Sequence, residues 1–242
     1  MKTSAIVFRF RFLIHATIYL LGFNVPWDRW LRLDMDASGS TWLLLSTWMA
    51  RNHWLSFSGA TIALLVFGAL CALIAALLRT SGSAYMGFST VQSFSMHGDR
   101  VVAAGPYRFV RNPLYLGIIV MTFSLALLMP PSGAIFCIVC VILFELVLIA
   151  GEELFLTEKL GQSYLQYRAR VPKLLPALSA RVPPSDPQPD WRAAFLGETF
   201  FWGFFLTWLI VGWRYNALLM AQGVLISLGL SLVVRAILPR RR

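Results

Sequence analysis

From Leu55 to Leu78 the chain carries no charged side chain, and a run of that length exceeds the roughly 20 residues a helix needs to cross a bilayer core. Inside lipid every backbone N–H and C=O must find its partner within the protein, so such a run commits the chain to helix or closed barrel. Five more segments are apolar, about Phe12 to Val25, Leu114 to Met129, Ala134 to Gly151, Ala194 to Gly212 and Ala217 to Leu238, the first two of them short and the last three interrupted only by Glu145, Glu198 and Arg235. None alternates polar and apolar residues with the period of two that a barrel strand requires. Composition agrees, being 58% hydrophobic and only 13% charged, against about 25% charged in ordinary soluble domains. The expectation is an all-α, polytopic transmembrane helical bundle of about six spans.

Basic residues orient it. On this layout all 21 lysines and arginines except Arg29, Arg32, Arg51 and Arg214 fall on one side, which the positive-inside rule makes cytoplasmic. Both termini are then expected in the cytoplasm, and no small-x-small cleavage site follows the first span near Phe23 to Pro26. The modest length suits a bacterial inner membrane. The net charge of +10 is spread through short loops, which fits membrane orientation and argues against a nucleic-acid partner. Cys71, Cys137 and Cys140 lie in apolar spans, and no second Cys or His pair accompanies Cys137-x-x-Cys140 at its depth. No metal site is expected.

Four regions follow. Residues 1–80 hold the N-terminal spans, with a Trp-rich stretch from Trp27 to Trp54 suited to the far interface. Residues 81–180 hold the polar residues of the longest cytoplasmic loop before the hairpin, Arg79 to Arg111, an apolar hairpin turned by Pro130-Pro131-Ser132-Gly133, and a tyrosine-rich tail. Residues 181–193 form a Pro-rich linker, and residues 194–242 a two-span extension.

The chemistry concentrates at the mouth of the hairpin. Gly105-Pro106 forces a turn, and Pro113 pushes Asn112 out of helical geometry, so a helix begins at Pro113 with Tyr107 and Tyr115 bracketing its start. Its free N–H groups suit a carboxylate. On the opposite arm Glu145 and Glu152 are seven residues apart, about 700° of helical rotation, and so share a face, with Glu153 on the adjoining one. Carboxylates in or at the end of a span face the bundle interior or a polar cavity. A helix start for a carboxylate, acids for an ammonium or ribose, and tyrosine faces for a cation together match the demands of S-adenosylmethionine. Arg108 and Arg111 stay protonated and suit a phosphate or substrate carboxylate. His97 is the connector's histidine, whereas His15 and His53 read as structural or interfacial. A non-enzymatic transporter or scaffold with Glu145 as an ion-coupling acid is the reading from another class.

The pattern V-x-x-G-P-Y-R-x-V-R-N-P-x-Y-x-G from Val102 to Gly117, the Glu152-Glu153 pair, and L-G-x-x-Y-x-x-Y-x-x-x-V-P from Leu160 to Pro172 resemble the isoprenylcysteine carboxyl methyltransferase family of integral membrane methyltransferases. The phospholipid methyltransferases are related to it. The resemblance spans about Ser89 to Pro176. It implies an S-adenosylmethionine-dependent enzyme with its active site facing the cytoplasm, taking a lipid-like or small hydrophobic acceptor from the bilayer. Gln92, Asp99, Arg100, Val101, Val102, Tyr107, Asn112, Pro113, Leu114, Tyr115 and Glu152 fall where that family contacts its cofactor. Glu152, Glu153 and Arg111 form the implied catalytic set, and Tyr164, Tyr167 and Arg170 to Pro176 would close over the site. Two positions depart: Asn112 replaces the histidine of the eukaryotic prenylcysteine enzymes, and Leu148 replaces an arginine one turn before the acidic pair. A prenylcysteine-like carboxylate, a phospholipid amine and a small thiol all stay open as acceptors. The extension lies beyond the matching region and could serve as a lid, a dimer surface or an acceptor channel.

Overall fold

The computed structural model describes residues 2–30, 32, 39–87, 90–91, 101–185 and 188–237. All regular structure among them is helical. Helices α1 (Lys2–Arg9), α2 (Arg11–Asn24), α3 (Trp27–Trp30) and α4 (Thr41–Arg51) lead into the long α5 (Phe57–Met86). A 3-10 turn at Gly105–Arg108 precedes α6 (Pro113–Ala126), α7 (Pro131–Leu160) and α8 (Gln162–Arg170). The extension supplies α9 (Trp191–Gly197), α10 (Thr199–Val211) and α11 (Ala217–Ile237).

Each expected apolar segment is helical, the fifth as two helices bent at Glu198. Among the described residues three helices are long and apolar enough to cross a membrane, α5, α7 and α11, or four if the bent pair α9 and α10 is counted as one. Both α2 and α6 have 14 residues, about 21 Å of rise against a hydrocarbon core of about 30 Å. Two boundaries also move. Helix α7 continues past Gly151 to Leu160, so Glu152 and Glu153 lie within a helix rather than at its end. Helix α5 runs to Met86, which makes Arg79, Ser81 and Ser83 helical rather than part of the connector.

Small residues set the helix crossings, as expected where packing rather than water drives association. A Cβ on Gly133 would lie 1.8 Å from Gly22 O, so α2 and α7 cross backbone to backbone. Helices α5 and α6 meet through Ala72, Ala75 and Ala76, and Ser124 Oγ donates to Gly68 O at 2.8 Å. Trp42 of the Trp-rich stretch is buried against Trp208, ring centroids 5.5 Å apart, so α4 packs into the core instead of only lying at an interface.

The segment read as a linker is docked. Arg111 N donates to Pro172 O, Ala177 N to Phe109 O, Arg181 N to Arg108 O and Ser185 N to Ala103 O, all within 2.9–3.0 Å. Residues 172–185 thus strap the chain that leads into α6. Gly105, at φ +52 with Tyr85 where a Cβ would stand, turns the chain beneath that strap.

Candidate active site

Pro113 begins α6 and brings no N–H, leaving Leu114 and Tyr115 as the first-turn donors. Within that first turn the Tyr115 hydroxyl donates to Glu152 Oε2 on α7 at 2.7 Å. The two halves of the sequence motif therefore meet across the hairpin, where the partly buried carboxylate finds a donor. Glu153, next along, forms an ion pair with Arg111 at 2.9 Å and a longer one with Arg168 at 3.7 Å. Arg111 also donates to Arg168 O at 2.5 Å, while its buried Nε has no acceptor. Arg111 is thus held against an acid and the tail, rather than standing open for a substrate anion.

These groups line a cavity of about 1090 Å³. Its wall contains Val101, Val102, Tyr107 and Arg111 before the hairpin, Asn112, Pro113, Leu114 and Tyr115 at the helix start, and Glu152 and Glu153 opposite. The structure thereby brings together every described member of the expected set. Gln92, Asp99 and Arg100, and with them His97, lie outside the described residues. Of the tail, Tyr164 and Tyr167 line the cavity, and Asn112 Nδ2 donates to Lys173 O at 3.1 Å. Tyr167 donates to Tyr107 O at 2.8 Å. Burial raises the hydroxyl pKa values of Tyr107, Tyr164 and Tyr167 above the ordinary phenol range, so all three remain hydrogen-bond donors at neutral pH.

Further polar residues of this wall come from outside the motif. His15 lines the cavity and places Nε2 2.8 Å from Glu145 Oε1, with Nδ1 2.7 Å from Arg11 O. A carbonyl only accepts, so Nδ1 carries a proton and both ring nitrogens are engaged. His15 is therefore a site-wall residue and not merely interfacial. Arg11, also on the wall, donates to Phe8 O and Val91 O, each at 3.0 Å. Arg79 completes the set, its Nε and Nη2 donating to Glu198 at 3.0 and 2.9 Å. Ser83 Oγ donates to the same carboxylate. A signal for the first group was present in the sequence, since Arg11, His15 and Tyr19 recur every four residues on an otherwise apolar helix.

A bundle of apolar helices enclosing a cavity with an acid–tyrosine bridge defines a membrane protein with an enclosed polar site. Residues 63–163, from α5 to the start of α8, match the family model described as phospholipid methyltransferase. Tyr115, Glu152, Glu153 and Arg111 all lie within the matched segment. No curated protein and no solved structure matches the chain. Arg11 and His15 reach the site from outside the matched segment, and Glu198, also outside it, holds the wall residue Arg79.

Proposed function

We propose that the protein transfers a methyl group from S-adenosylmethionine to a lipid-like acceptor at the cytoplasmic face of a bacterial inner membrane. The observation that carries this reading is the Tyr115–Glu152 bridge at 2.7 Å beside the start of α6, inside the cavity of the segment matched to the methyltransferase family. The residues suit the cofactor. Leu114 and Tyr115 offer backbone donors for a carboxylate, Glu152 an acceptor for an ammonium or hydroxyl, and Tyr107 and Tyr115 aromatic surface for a sulfonium. When bound, S-adenosylmethionine supplies an electrophilic methyl group.

The chain's part is to orient and to exclude water. Tyr164 and Tyr167 cover the mouth, and the strap through Pro172 and Lys173 holds Arg111 and Asn112 beneath it. Among acceptors, a phospholipid amine is favoured by the family match. The buried Leu148 supports the same choice, since it leaves no cation where a prenylcysteine carboxylate would need one. Methylation of an amine releases a proton. Glu153, on the cavity wall, is the proposed acceptor for it, because Glu145 is fully buried behind His15 and both nitrogens of His15 are occupied.

The test is to incubate membranes containing the protein with methyl-labelled S-adenosylmethionine and follow the label. Label in phospholipid headgroups supports the amine reading, whereas base-labile ester would shift the acceptor to a carboxylate and a volatile product to a small thiol. No transfer above membranes carrying Glu152→Ala would refute methyl transfer.

A further inference from the structure

The cavity does not end at the polar site. It continues along α2 as far as Asn24 and along α11 from Leu232 back to Ala221. On α11 its wall is Ala221, Val224, Leu225, Leu228, Ser231 and Leu232, a spacing of three and four that marks a single helix face. The neighbouring face holds α10: a Cβ on Gly203 would lie 2.7 Å from Ser227 Oγ, and one on Gly223 would lie 2.6 Å from Thr207 Cγ2. These contacts make α10 and α11 antiparallel. Leu232 is therefore level with Phe201 and Arg79 at the polar end, and Ala221 is at the far end.

The floor and the rims of this arm differ. Met121, Leu125 and Phe201 at its base are buried. Leu20 on α2, at 63% exposed, and Leu225, at 66%, and Leu228, at 44%, on α11 line the same cavity yet face outward. A wall residue can be so exposed only where the cavity opens sideways, and in a membrane protein an apolar rim of leucines opens into lipid. Ala221 to Leu232 spans about 16 Å at 1.5 Å per residue, close to half of a hydrocarbon core about 30 Å thick.

We infer that α2 and α11 frame a lateral portal, and that the arm behind it binds one acyl chain of a bilayer phospholipid, with the headgroup at the Tyr115–Glu152 end. The C-terminal extension is then the acceptor-chain wall rather than a lid or a dimer surface. Glu198 anchors it, since its buried carboxylate ties the α9–α10 bend to Arg79 and Ser83 of the matched segment. For what the bound headgroup undergoes, the inference rests on the methyl-transfer reading; the chain site itself does not.

The test reads binding without turnover. The intact protein is placed in phosphatidylcholine vesicles containing phosphatidylethanolamine with a diazirine at the end of one acyl chain, irradiated, and mapped by mass spectrometry. Label is expected on the cavity face at Ala221, Val224 and Leu225. Leu228→Trp or Leu225→Trp, both at exposed positions that tolerate bulk, should lower it about tenfold by filling the arm. Ile226→Trp, on a face that does not line the cavity, should leave it unchanged. Equal labelling of both faces of α11, or labelling indifferent to Leu228→Trp, would overturn the portal. Calorimetric binding of S-adenosylmethionine to Leu228→Trp separates the two readings: retained binding with lost label bears on the chain site alone.

Discussion

Glu198→Ala should unfasten the extension, and the cost follows from what the carboxylate leaves behind. Glu198 is fully buried and the Arg79 side chain is 10% exposed, so the guanidinium would stay out of water with two donors stripped of their acceptor. The guanidinium also lies over the Phe201 ring, 5.0 Å from its centroid, and a ring face does not replace two N–H acceptors. Leaving one member of a buried ion pair unpartnered costs about 3–5 kcal/mol, and the orphaned Ser83 hydroxyl adds about 1 kcal/mol. The double variant Arg79→Met with Glu198→Leu removes the stranded charge, and apolar replacement of a buried pair is often neutral. It should therefore be more stable than Glu198→Ala alone. Reversible SDS titration followed by tryptophan fluorescence reads this directly, since Trp202 donates to Thr80 at 2.9 Å across the same junction. A loss below about 1 kcal/mol for the single variant, or a double variant as unstable as the single, would refute the reasoning.

Three further outcomes follow. Gly133→Ala forces a methyl group against Gly22 O, 1.8 Å from the Cβ position, and should lower stability in the same titration by at least about 1–3 kcal/mol. His15→Leu leaves both oxygens of buried Glu145 without a donor and should cost about 1–3 kcal/mol, with His15→Leu plus Glu145→Leu recovering most of it. The raised pKa values of Tyr107, Tyr164 and Tyr167 mean the folded state keeps phenol protons that the unfolded chain loses above about pH 10. Their contribution to stability is whole below that pH and is lost as pH rises through the folded values. Tyr167→Phe should flatten this alkaline decline in unfolding titrations.

Apolar runs located α2, α5, α6, α7, the α9–α10 pair and α11 because hydrophobic length is a local property, readable residue by residue; α1, α3, α4 and α8 carry no such run. Helix ends were not local. Helix α5 extends through Arg79 and Ser83 because Glu198, far along the chain, satisfies both. Helix α7 carries Glu152 and Glu153 past Gly151 because Tyr115 and Arg111 meet them. The Tyr115–Glu152 half of the site was readable from motif and helical phase together. Glu198, a lone acid before an aromatic run, gave no local sign of its partner. The stripe of Arg11, His15 and Tyr19 did carry one, in a spacing of four that places three polar side chains on the inner face of an apolar helix.

The central claim is that the Tyr115–Glu152 cavity holds a methyl donor, and titration calorimetry of the detergent-solubilised protein with S-adenosylmethionine tests it most directly. The wild type should bind, and Glu152→Ala and Tyr115→Ala should each weaken binding about tenfold or more, as loss of a buried hydrogen-bonding group predicts. No binding to the wild type, or equal affinity in both variants, would contradict it.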